Sequence, residues 1–100
     1  MTEVREAGRV RLRLRGELDL AGAPAFGEAL RQLRRRGEPI LLDLDQLAFI
    51  DMSGLRMVLA AAETASRDGG GFSVTPGPQV RRLMTLVAPD GHLPAEWSAG

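Results

Sequence analysis

Apolar and polar residues alternate over the segment RVRLRLRGELDL. Val10, Leu12 and Leu14 fall on one side of an extended chain and Arg9, Arg11, Arg13 and Arg15 on the other. A period of two predicts a half-buried strand whose arginines face away from the core. Residues 2–6 are expected to form a short partner strand, joined to it by a turn at Ala7-Gly8. The period then lengthens. In APAFGEALRQLRRRGEP the residues Phe26, Ala29, Leu30 and Leu33 recur at helical spacing, with Pro24 suited to the first turn and Gly37 to the C-terminal cap, which predicts a helix over 24–36. From Ile40 to Leu44 the run is apolar except for Asp43, the pattern of a central strand covered on both faces, and strand character continues to about Ile50. A second helix is expected over 54–67, with Leu55, Val58, Leu59, Ala62 and Ala65 on one face and Gly69-Gly70-Gly71 as its stop. A short strand at 72–74 follows, then a third helix over 78–87 with Pro78 at its first position and Val80, Leu83, Met84 and Val87 inward. The tail from about residue 89, which contains His92 and Trp97, has no period. Strands alternating with helices indicate an α/β domain with a largely parallel or mixed sheet.

At 100 residues the chain has the length of one domain, expected to span 1–100. With 44% hydrophobic residues, 26% charged residues and a formal net charge of zero, the balance of charge points to no partner class. All its basic residues are arginine, so a P-loop lysine and a Schiff-base amine are unavailable. Cysteine is absent, which removes disulfides, thiol nucleophiles and cysteine-based metal clusters. No segment has the apolar length of a signal peptide or a membrane span, and a cytoplasmic location is expected. Arg34, Arg35 and Arg36 fall where positive charge complements the dipole of the first helix. Without interleaved aromatics or a basic excess they do not read as a nucleic-acid patch.

The segment FIDMSGLRMVL places Ser53 where a strand gives way to a helix. Three roles suit a hydroxyl there: helix cap, nucleophile, or acceptor of a modification. Asp51 and Ser53 can each cap the helix. A nucleophile would need a base, but the surroundings do not spell G-x-S-x-G and the chain's one histidine is His92. A phosphate on Ser53 would meet exposed amides and the positive end of the helix dipole. Arg56, one turn later, has the choice of pairing with Asp51, with such a phosphate, or with water.

Across residues 9 to about 87 these segments resemble the STAS domain, and within it the stand-alone anti-sigma factor antagonists of bacteria. The resemblance rests on GELDLAGAP after the alternating strand, LLDLDQLAFID, DMSGL, and GGGFSVTPGPQVRRLM. It implies a STAS-like fold with a mixed sheet of about four strands packed with three or four helices. It also implies that Ser53 is the phosphorylation site and that Asp19, Asp51, Met52, Gly54, Leu55 and Arg56 belong to the partner-binding surface. Many relatives carry a second Ser or Thr where this chain has Met52, and the ending VAPDGHLPAEWSAG matches the family only loosely.

The function implied by the resemblance is partner switching without catalysis, cofactor or metal in this chain. Unmodified, it would bind an anti-sigma factor and release the sigma factor. The anti-sigma factor, an ATP-dependent serine kinase, would phosphorylate Ser53 and so weaken the complex, and a metal-dependent serine phosphatase would reverse the step. No direct contact with nucleic acid or membrane is expected. The alternative is a non-enzymatic STAS subunit or scaffold, of an ABC-type lipid transporter or of the stressosome type.

Overall fold

The computed structural model describes residues 1–69, 71–87 and Trp97. The alternating segment forms strand β2 (Arg9–Arg13), and the expected partner strand is β1 (Thr2–Glu6), antiparallel to it through the Ala7-Gly8 turn. Val10, Leu12 and Leu14 are buried and Arg9, Arg11 and Arg13 half-buried, as a period of two requires. Strand β3 (Gly16–Leu18) continues the chain into helix α1 (Ala23–Arg35), where Pro24 stands in the first turn and Gly37, at φ 73°, follows the last.

The expected single strand from Ile40 to Ile50 is two. All four residues of β4 (Ile40–Asp43) are buried, as expected of a central strand. The chain then turns, because Asp43 Oδ1 accepts the Asp45 N–H at 3.1 Å and the Leu44 carbonyl accepts the Leu47 N–H at 3.2 Å. It resumes as β5 (Leu47–Ile50), parallel to β3 rather than continuing the main sheet. Helix α2 (Met52–Asp68) ends at Gly69, at φ 72°. Strand β6 (Phe72–Thr75) and helix α3 (Gly77–Val87) follow. Gly77 allows that last connection: its φ is 73°, and a Cβ there would lie 2.6 Å from Asp45 Cα.

The main sheet has the order β1-β2-β4-β6, antiparallel between its first two strands and parallel thereafter, and β3-β5 forms a separate parallel pair. With three helices this is the mixed α/β architecture that the sequence predicts. The core joins Phe26, Leu30 and Leu33 of α1 to Leu55 and Val58 of α2 and Val80 and Met84 of α3 over the strands. Three expected inward residues depart from this: Leu59 and Leu83 are only half-buried, and Val87, in the last turn of α3, is 45% exposed. Trp97 is buried and bridges Val74 at the edge of β6, while His92 and the rest of the tail lie outside the described residues. No helix among the described residues is long and apolar enough to cross a membrane.

Candidate functional site

The parallel pairing of β3 with β5 brings two loops together, since Leu18 and Ile50 are register partners at the C-terminal ends of their strands. Asp19 follows one strand and Asp51 the other. Such strand ends, opening onto helix N-termini, are where open α/β sheets place their binding sites.

Asp51 settles which side chain caps α2. Its backbone is extended (φ −107°, ψ −177°), its Oδ1 accepts the Gly54 N–H at 3.0 Å, and its carbonyl accepts the Leu55 N–H at 3.0 Å. Its Oδ2 accepts the Leu20 N–H at 3.2 Å, and its own N–H donates to the Leu18 carbonyl at 3.2 Å. One carboxylate thus staples the β3–α1 loop to the start of α2. Asp19 does comparable work on its own loop, its Oδ1 accepting the Gly22 N–H at 3.0 Å and its carbonyl the Ala23 N–H at 2.9 Å.

Because the cap lies at Asp51, the helix begins at Met52, two residues earlier than the sequence suggests. Ser53 is its second residue. It is half-buried rather than fully exposed, and its hydroxyl makes no hydrogen bond among the described residues. The N–H groups of Met52 and Ser53 lie in the first turn, where no intrahelical carbonyl reaches them. The first turn of α2 contains no acid, so the positive end of its dipole is opposed only by the Asp51 cap. Arg56 is exposed and forms no ion pair with Asp51.

Six residues were expected to share a partner-binding surface with Ser53, and the structure divides them. Asp19, Asp51 and Met52 are half-buried and Arg56 is exposed. Gly54 and Leu55 are buried, Leu55 at 0% exposure, so they shape the surface from below and offer a partner no contact area. Gly54 is required by close packing: a Cβ there would lie 2.3 Å from the Leu18 carbonyl oxygen and 2.8 Å from Leu18 Cγ. Sequence reasoning missed Leu20, 74% exposed on the stapled loop, and Phe49, 47% exposed on β5. Leu20 continues the even-numbered apolar positions of the segment before it, so the alternation points it inward and the sequence carries no signal that it faces outward. Among the described residues no group of three or more His, Cys, Asp or Glu side chains is placed to hold a metal.

The chain matches, over residues 1–94, the family model described as Mlab, STAS domain. Its structure is similar to that of an anti-sigma factor antagonist from Mycobacterium paratuberculosis, with a TM-score of 0.79 and 26% identity over 99% of this chain and 84% of that one. The anti-sigma factor antagonist SpoIIAA in its unphosphorylated form shares the fold, with a TM-score of 0.66 and 22% identity over 85% of this chain and 81% of that one. Mglu matches at 32% identity with a TM-score of 0.64 over 73% of this chain, which spans only 18% of the length of Mglu. No curated protein sequence matches.

Proposed function

This chain belongs to the STAS-domain family, and we propose that it acts as an anti-sigma factor antagonist switched by phosphorylation of Ser53. The observation that carries the reading is the division of labour at the start of α2. Asp51 caps the helix, which leaves the Ser53 hydroxyl without a structural task beside two helix amides and among exposed or half-exposed side chains. The likeness to the mycobacterial anti-sigma factor antagonist supports the same reading.

In this proposal the unmodified surface around Ser53, with Asp19, Asp51, Met52 and Arg56, binds an anti-sigma factor that is also an ATP-dependent serine kinase. A phosphoserine brings about 1.5 to 2 negative charges into that surface. The helix terminus accommodates the charge, while the partner meets added desolvation and repulsion. A difference of about 2.7 kcal/mol is already a hundredfold in affinity. A serine phosphatase restores the unmodified state. ATP and any metal belong to those partners, and this chain is a binding protein of the cytoplasm, unstapled to membrane or nucleic acid.

The match to a family model of STAS domains is met equally by a second reading, a non-enzymatic STAS subunit of a transporter or scaffold that binds constitutively through the same surface. Affinity purification from the native cytosol, with and without phosphatase treatment, separates the two. Recovery of a small histidine-kinase-like ATPase, lost when mass spectrometry finds phosphate on Ser53, supports the switch. Recovery of an ABC-type ATPase regardless of Ser53 modification supports the alternative and overturns the switch.

A further inference from the structure

The main sheet has two edges with different surroundings. At the β6 edge, Val74 pairs with Trp97. At the other, β1 pairs with β2 on one side, and among the described residues no strand pairs with its outer side. An unpaired edge is a template for another strand, and proteins commonly block such edges with charge. Here the edge charges are of opposite sign: Glu3 and Arg5 flank Val4.

We propose that β1 is a self-association edge that takes β1 of a second copy of this chain, antiparallel, about a two-fold axis at Val4. The Glu6–Arg9 pair closes the two-residue Ala7-Gly8 turn and is therefore a hydrogen-bonded pair, so the peptide groups of Thr2, Val4 and Glu6 point toward β2. Those of Glu3 and Arg5 point outward. In an antiparallel pairing centred on Val4, Glu3 lies opposite Arg5 of the second copy and Arg5 opposite its Glu3. These are also the two positions whose peptide groups are free to bond, so hydrogen-bond register and charge register coincide. Sliding the strands by two residues keeps the bonding pattern but sets Glu3 against Glu3, or Arg5 against Arg5, which opposes association.

The flanking charges continue the alternation. Glu3 and Arg5 share the face of β1 that carries Leu12 and Val10 on β2. On that face Arg36 Nη1 lies 2.8 Å from Glu3 Oε2, and Arg5 donates to Glu38. Pairing would align Arg36 and Glu3 with Arg5 and Glu38 of the second copy, four charges of alternating sign, and the two-fold axis repeats the row. Val4, 39% exposed on the opposite face, would meet its twin at a non-hydrogen-bonded position, where facing side chains approach closest.

Sedimentation velocity of the full chain over a concentration series, at low salt and at about 0.5 M salt, tests the proposal. A reversible monomer–dimer equilibrium weakened by salt is expected. Arg5→Glu gives an edge with two acids and Glu3→Arg an edge with two arginines, so each variant alone should dimerise at least about tenfold more weakly than the wild type. An equimolar mixture should regain the dimer, because an acidic edge then faces a basic one at both positions. A wild type that stays monomeric, variants that dimerise as well as the wild type, or a mixture that stays monomeric would each overturn the proposal. Should a variant fold poorly, amide exchange of the wild type decides: the Glu3 and Arg5 amides should gain protection as concentration rises, and unchanged exchange refutes the pairing.

Discussion

At Asp51 one carboxylate holds two amides, those of Gly54 and Leu20, while Ser53, two residues on, holds none. Removing the carboxylate should therefore cost more than removing the hydroxyl. Asp51→Ala is expected to destabilise by about 1–3 kcal/mol, as a lost cap together with a second released amide. Ser53→Ala should stay within about 0.5 kcal/mol of the wild type. Thermal melts of the two variants check this, and the opposite order would return Ser53 to a capping role. At Gly54 the neighbouring backbone leaves no room for a Cβ. Gly54→Ala should cost about 1–3 kcal/mol by overpacking against Leu18 despite its better helix propensity, and a neutral or stabilised melt would contradict the close approach. The sequence left the cap open between Asp51 and Ser53 because both side chains can accept from a helix amide. What separates them is reach in three dimensions.

Among the elements, the three helices were legible to within two residues because their apolar faces repeat and their ends carry Pro24, Gly37, Gly69 and Pro78. The break between β4 and β5 was not. Leu44 and Leu47 are both buried on either side of it, so the apolar run continues through a turn made by the Asp43 side chain. Asp43 also receives Arg13 Nε at 3.4 Å and is itself only 8% exposed, so Asp43→Ala removes the turn and leaves a half-buried arginine without that partner. A loss of about 1–3 kcal/mol is expected by chemical denaturation, and an unchanged midpoint would show that the turn forms without the carboxylate. On α1, the Arg31 hydrogen bond, assisted by Gln32, holds the Glu28 carboxyl below its usual range. A depressed pKa contributes stability above the unfolded carboxylate value and loses it as pH falls through the folded one. An NMR titration should place Glu28 low and Arg31→Ala should move it back up, whereas an unmoved titration would remove Arg31 as the cause.

For the molecule as a whole, the fold follows from parallel pairing that sets two loops side by side, and that juxtaposition could not be read from periodicity. Asp19 and Asp51 are far apart in the chain, and only the β3–β5 register makes them neighbours. The likeness of GELD and DMSGL to STAS sequences supplied the link that spacing alone could not. Leu20 on the stapled loop and Phe49 on β5 are exposed, apolar area of a kind that suits a protein partner better than a small ion. The central claim is that charge at Ser53 governs binding while leaving the fold in place. Calorimetric titration of the purified anti-sigma partner with wild type, Ser53→Ala and Ser53→Asp, each shown by its melt to be folded, tests it most directly. Ser53→Ala should bind like the unmodified protein and Ser53→Asp about 1–3 kcal/mol more weakly; equal affinities for the two variants would contradict the switch.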